Sequence, residues 1–291
     1  MTFRNMDKAQ ADQHITRLDS AAEHRSVPYS DGRVMRWRVF GKGDPLALIH
    51  GGHGSWLHWV RNIEALSRDY QVFVCDLPGY GDSDDPPARS HMQTMVDSVI
   101  TSLNSMLGNG REVNLAGFSF GGAVSAHVAV QRGAVRLALL GTPGSETPKR
   151  PRSELVRWRK TDGAAQDAAL RHNLLSHMMY DENNVDALAF RAYADAVKAT
   201  RFRSRAAHTM TLEDRLRGYT APVLFIYGEH DATCTPEVAK KNLSNAKLSR
   251  ECRIIPGGGH WVQFETADEI NDELTRWFHA GAAIQPVALP G

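Results

Sequence analysis

Ser119, Asp231 and His260 have the types and the chain order that a nucleophile, an orienting acid and a general base require. The stretch NLAGFSFGGAVSAHVAVQ, from Asn114 to Gln131, sets Ser119 between two phenylalanines and fences it with Gly117, Gly121 and Gly122. A bland turn needs one glycine. Here G-x-S-x-G stands where an apolar run gives way to a helical pattern, so a sharp turn would push the hydroxyl out at the edge of a sheet. A helix opening near Gly121 would aim its N-terminal dipole at the same point.

An alcohol becomes a nucleophile only beside a base, and an imidazole base needs an acid that fixes its tautomer and stabilises its cation. VLFIYGEHDATCTP puts Asp231 in the loop just beyond an apolar run, with a helix opening at Pro236. Glu229 and His230 are near enough to compete, and Asp231 is preferred because it lies furthest out from the strand. IIPGGGHWVQFE puts His260 after three glycines that would let the loop bend back towards Ser119. LIHGGHGS, upstream, ends a strand in glycines, whose bare backbone can offer N–H groups to an oxyanion. The expected donors are Gly52 and Phe120, the residue after the serine.

These loops need a frame. RVMRWRVFG reads as a half-buried strand, and PLALIHGG, YQVFVCD, EVNLAG, VRLALLG and APVLFIYG read as fully apolar strands. WLHWVRNIEALSRD, MQTMVDSVITSLNSML and ADEINDELTRWFHA carry helical spacing, and CRIIPG adds a last strand. Strands alternating with helices predict an α/β fold, a mostly parallel sheet covered on both faces, with function at the strand C-terminal ends. Ser145 to Arg217 has a different texture, Arg-rich and helical without buried strand runs, as in AALRHNLLSHMMY. It is expected to roof the strand ends and exclude water.

Composition narrows the partner. Lys plus Arg (34) nearly balances Asp plus Glu (33), so no overall field favours nucleic acid or an anionic membrane. Cys75, Cys234 and Cys252 have no CxxC or Cys/His spacing, which points away from a disulfide framework and a zinc site. MTFRNMDKAQADQHITRL has no apolar signal region. The expectation is a cytoplasmic protein acting on a small molecule, with no metal or cofactor; a homo-oligomer is compatible with this composition.

With these motifs in the order Ser, Asp, His, the chain from Arg33 to His279 resembles the α/β-hydrolase fold, and DLPGYGDSD is similar to the structural loop that family carries after its fourth strand. The resemblance implies an eight-stranded sheet, a core domain of residues 1–144 and 218–291, and a helical cap of residues 145–217. HGGHGSWLHW and GHWVQFE further resemble the hydrolases that cleave carbon–carbon bonds in meta-cleavage products, and related carboxylesterases. That likeness implies that Trp261 lines the substrate pocket and that a cap arginine, Arg201 or Arg203, holds a substrate carboxylate; a solvated basic helix face is the other reading of KATRFRSR. His53 is a candidate donor to the substrate. Ester hydrolysis and carbon–carbon hydrolysis both fit this apparatus. Cofactor-free perhydrolysis or haloperoxidation, and a non-catalytic ligand receptor, are the alternatives on the same fold.

Overall fold

A computed structural model describes residues 5–88, 90–144, 154–202 and 210–279. Its eight strands are β1 (Glu23–Ser30), β2 (Arg33–Phe40), β3 (Asp44–Ile49), β4 (Tyr70–Asp76), β5 (Asn114–Phe118), β6 (Leu137–Leu140), β7 (Val223–Gly228) and β8 (Arg250–Ile255). They form one sheet in the order β1-β2-β4-β3-β5-β6-β7-β8. The β1/β2 and β2/β4 pairs are antiparallel and every other pair is parallel. The fold is the mostly parallel α/β arrangement that the alternating pattern predicts.

Period-two alternation explains why the central strands are apolar throughout. Leu46 and Leu48 of β3 join one core cluster with Trp56, Trp59, Trp261 and Trp277, while Ala47 and Ile49 face the opposite one with Val96, Val99 and Val124. Both faces are covered, so neither can be polar. The covering helices are α1 (Lys8–Ala21), α2 (Ile63–Leu66), α3 (Met92–Leu107), α4 (Phe120–Arg132), α5 (Gly163–His177), α6 (Ala187–Lys198), α7 (Leu212–Arg215), α8 (Pro236–Leu243), α9 (Val262–Glu265) and α10 (Ala267–His279).

Three features depart from the sequence reading. WLHWVRNIEALSRD is no continuous helix: Trp56–Trp59 make a 3₁₀ turn, and α2 is one short helical turn. Trp56 through Asn62 are all buried, and a helix with a solvent face could not hide seven residues in a row. The second departure is α1 and β1, which precede the first strand expected from the sequence. Helix α1 packs on α6, with Arg191 bonding Asp12, and its Arg17 reaches Glu64 of α2. Third, the stretch between β6 and β7 is not uniform. Leu170 and Leu174 of α5 and Leu188 of α6 lie in the Trp261 cluster, whereas Leu212 and Leu216 pack with α4 on the other side of the sheet.

Arg38 on β2 ties the loop after β4 to the core. Its guanidinium bonds Asp19, Asp76 and Asp82 and stacks over Trp56 at 4.4 Å. Burial pushes the Asp76 carboxyl up, and Arg38 with the Trp56 and Asp82 N–H groups opposes it. Those carboxylates are thus occupied in holding the loop, as is Asp84, which accepts from the Val34 N–H at 2.9 Å.

The tightest packing is at the start of α4. A Cβ on Gly121 would stand 2.2 Å from the His50 carbonyl oxygen and 2.5 Å from that of Ile49, both backbone atoms of β3 and its end. Gly121→Ala should therefore destabilise the protein by about 3 kcal/mol, the upper range for overpacking, as read from urea unfolding midpoints. Gly163→Ala, where no atom lies within 4 Å, should cost much less despite its φ of +49°.

Candidate active site

Ser119 sits between β5 and α4 with φ 52° and ψ −115°, a backbone conformation that non-glycine residues seldom adopt. Three glycines allow it. A Cβ on Gly117 would meet Ser125 Oγ at 2.4 Å, and one on Gly122 would meet Thr142 Oγ1 at 1.8 Å, so the first turn of α4 can close only on bare backbone. The Ser119 N–H is held by the Leu140 carbonyl at 2.8 Å.

The loops after β7 and β8 then converge on this serine. His260 Nε2 lies 3.0 Å from Ser119 Oγ, and its Nδ1 lies 3.0 and 3.1 Å from the two carboxylate oxygens of Asp231. A carboxylate accepts, so Nδ1 carries the proton and Nε2 is left to accept from the serine hydroxyl. A Cβ on Gly228 would stand 2.2 Å from the Gly259 carbonyl oxygen, so the two loops touch backbone to backbone. Glu229, the competing acid, instead accepts from the Gly257 N–H at 3.0 Å and is not the residue at the imidazole.

Asp231 is completely buried. Burial alone would push its carboxyl up, but His260 and the donors of Thr233 outweigh it and hold the carboxyl below its ordinary value. The Thr233 N–H and hydroxyl both donate to Asp231 Oδ1 at 2.7 Å. The sequence reading passed over Thr233, although a threonine two residues after an aspartate is a recognisable side-chain-to-backbone turn.

On the other side of Ser119, the glycine loop after β3 is fixed by two histidines that the motif search also missed. His50 Nδ1 donates to the Gly51 carbonyl at 2.7 Å, and its Nε2 accepts from the Leu77 N–H at 2.9 Å. His58 Nδ1 accepts from the Gly51 N–H at 3.2 Å. Because the peptide is planar and trans, fixing the Gly51 carbonyl also fixes the Gly52 N–H in the opposite direction. Gly52 faces Phe120, whose Cβ would lie 3.6 Å from a Cβ built on the glycine. Phe120 opens α4, so its N–H belongs to the first turn, whose amides have no acceptor within the helix.

The remaining candidates fall elsewhere. His53 is at the exposed tip of the loop with φ 56°. Trp261 is fully buried, and its indole N–H donates to the His58 carbonyl at 2.9 Å, which makes it a brace between the base loop and the 3₁₀ turn. Arg201 is spent on the loop after β4: it bonds Asp85 and the carbonyls of Gly81, Ser83 and Ala199. The expected carboxylate anchor is therefore not found at Arg201, because backbone carbonyls and Asp85 already satisfy its fork. Arg203 lies outside the described residues. In its place the insertion brings His177, at the end of α5, with its ring 5.5 Å from that of His260. Among the described residues no group of three His, Cys, Asp or Glu side chains is placed to hold a metal, and no helix is long and apolar enough to cross a membrane. Cys75, Cys234 and Cys252 are buried and form no disulfide among the described residues.

A serine–histidine–aspartate chain at the C-terminal ends of a mostly parallel sheet is the arrangement found in hydrolases of one large fold class. Residues 46–273 match the alpha/beta hydrolase family, and the chain belongs to that family. It is 29% identical over 260 residues to the dihydrolipoyllysine-residue acetyltransferase component of the acetoin cleaving system of Pseudomonas putida, covering 84% of this chain and 66% of that one. The chain thus spans about two thirds of that relative's length. It is 27% identical over 290 residues to the 2-hydroxy-6-oxononadienedioate/2-hydroxy-6-oxononatrienedioate hydrolase of Paraburkholderia phymatum, covering 92% and 95%. Among solved structures, carboxylesterase CesB of Bacillus subtilis superposes with a TM-score of 0.77 at 18% identity, over 93% of this chain and 96% of that one.

The two buried histidines carry a pH dependence. Burial pushes the His50 imidazole down from its ordinary 6.5 to about 4, against the hydrogen bond to Gly51. Burial also sets His58 well below its ordinary value, helped by the nearby His50, His260 and His53. Between these limits the unfolded chain binds a proton at position 50 that the folded chain does not, so stability is full above pH 6.5 and falls as pH drops towards 4. Urea unfolding should show His50 alone costing about 2 kcal/mol at pH 5 relative to pH 7.5. His50→Gln should flatten the curve by that amount.

Proposed function

We propose that the protein is a cofactor-independent serine hydrolase of carboxylic esters with a small apolar or aromatic acyl group. The observation that carries the reading is the unbroken hydrogen-bonded chain from Ser119 Oγ through His260 to buried Asp231. In this reading His260 takes the serine proton as Oγ attacks the ester carbonyl. The N–H groups of Gly52 and Phe120 receive the oxyanion, and His260 returns the proton to the departing alkoxide. Water then attacks the acyl-enzyme by the reverse route, with His260 again as base.

The acyl preference comes from the roof. Leu170, Leu174, Met178 and Met179 belong to the same apolar cluster as Phe118 and Trp261, which flank the serine and the base. Apolar packing of the insertion against the neighbours of the serine and the base favours an apolar acyl group and keeps water out. With Arg201 engaged by the loop after β4, no described arginine of KATRFRSR is offered to a substrate carboxylate, which favours ester hydrolysis over hydrolysis of a dienedioate, the compound class in the name of the Paraburkholderia relative.

Intact mass after treatment with a fluorophosphonate should show one adduct on the wild type and none on Ser119→Ala. Turnover of p-nitrophenyl butyrate should fall on the order of 10⁴-fold or more in Ser119→Ala and roughly 10³- to 10⁴-fold in Asp231→Asn. An unlabelled, well-folded wild type would remove the serine hydrolase reading. A dienoate turned over faster than any aryl ester would replace ester cleavage with carbon–carbon cleavage.

A further inference from the structure

We infer that Glu265 is a positioning residue for the base: its buried carboxylate binds the loop that carries His260 to the end of α5, so that the imidazole keeps its reach to Ser119 only while the helical insertion is seated. This rests on the serine hydrolase reading of Ser119 and His260.

Glu265 closes α9 and is 5% exposed. Its Oε2 accepts from the Gly259 N–H at 2.7 Å, immediately before the histidine. Its Oε1 accepts from the Asp181 N–H at 2.8 Å, and Tyr180 N–H lies 3.0 and 3.1 Å from the two oxygens. On the other flank of the histidine, the Trp261 N–H donates to the Met178 carbonyl at 2.6 Å. Both neighbours of His260 are therefore bound to residues 178–181, one directly and one through Glu265.

The backbone is shaped for this junction. A Cβ on Gly259 would stand 2.7 Å from the Tyr180 nitrogen and 2.8 Å from Glu265 Oε2, so only a glycine lets the three segments meet. A buried carboxylate is costly unless donors satisfy it, and backbone N–H groups aimed at an anion make strong, directional partners. Burial pushes the Glu265 carboxyl up, and the N–H groups of Asp181, Gly259 and Tyr180 pull it back. Glutamine is a poor substitute. Each carboxylate oxygen accepts from main-chain N–H groups, so an amide in either orientation sets its NH₂ against at least one of them.

The same junction sets where the insertion is fixed. Asp186, at the start of α6, pairs with buried Arg61, which also donates to the Phe264 carbonyl. The segment from Met178 to Asp186 is thus fastened at both ends to residues 259–265, and His177 is carried in a fixed place over the base.

The test compares wild type, Glu265→Gln and Glu265→Asp in the full chain. It measures thermal melting, the second-order rate constant for fluorophosphonate labelling, and kcat and KM with p-nitrophenyl butyrate per labelled site. A displaced base should lower kcat and the labelling rate in folded Glu265→Gln by roughly ten- to a hundredfold, with KM within about threefold. A residue that only supports the fold would lower the melting temperature and leave kcat per labelled site unchanged, and that outcome overturns the inference. If Glu265→Gln does not fold, Glu265→Asp decides, because it keeps the charge but is one methylene too short to reach both Gly259 and residues 180–181: a folded protein with kcat down about two- to fivefold supports it, and unchanged kcat overturns it. A wild type that takes no probe at Ser119 overturns the serine hydrolase reading and this inference together, whereas equal labelling of wild type and Glu265→Gln overturns this inference alone.

Discussion

A serine held at φ 52° and ψ −115° has no local reason to be there; such a conformation costs of the order of 1–3 kcal/mol and must be imposed by its surroundings. The surroundings impose it by leaving out side chains. Gly117, Gly121 and Gly122 allow α4 to begin within contact of the Ile49 and His50 carbonyls and of Thr142, so the chain has to turn sharply at Ser119. Closing that turn brings Phe120 opposite Gly52 and leaves the hydroxyl at the end of the sheet. The positions of His260, Asp231 and the glycine loop are all defined relative to this turn, and the parallel sheet brings their strands to the same edge.

The two sides of the serine are built differently. On the side of Asp231 and His260, the end of β7 and the loop after β8 pass so close that Gly228 and Gly259 exclude any side chain. Asp231 is then fixed by its own Thr233. On the side of the glycine loop, the Gly51 peptide is fixed by two buried imidazoles, His50 and His58, through hydrogen bonds to its carbonyl and its N–H. Burial keeps His50 uncharged at neutral pH, so it donates from one nitrogen and accepts at the other, bridging the glycine loop to Leu77 and the loop that Arg38 anchors.

Much of this was legible because it is written in short stretches. An apolar run followed by glycine and a polar residue occurs at Ser119, Asp231 and His260, and each stretch places its residue at a strand end without reference to the others. The sheet was readable for the same reason. What escaped has non-local causes. β1 has one buried residue, Val27, and therefore no apolar alternation to detect, while α1 hides only Ala11, His14 and Leu18. Arg201 or Arg203 was one reading of KATRFRSR as a carboxylate anchor, but guanidinium chemistry does not say which oxygens it will find; those of Arg201 belong to Asp85, Gly81 and Ser83 of a neighbouring loop and to Ala199 just before it. His50 and His58 stood within or beside the glycine motif, yet their roles depend on which ring nitrogen meets Gly51.

The hydrogen bonds that join the insertion to the base belong to this non-local kind. Tyr180, Asp181 and Gly259 contribute only main-chain N–H groups, which every non-proline residue owns, so their side chains carry no signal of the contact. The one visible mark is Glu265, an acidic residue that follows Trp261, Val262 and Phe264, and a buried acid must be explained by its donors. Because those donors come from two segments far apart in sequence, the carboxylate couples them: a shift of residues 180–181 cannot occur without stretching its bond to Gly259, one residue from the imidazole. In a chain where His260 must reach Ser119 at 3.0 Å and Asp231 on its other side, that coupling ties the geometry of the base to the seating of the helices above it.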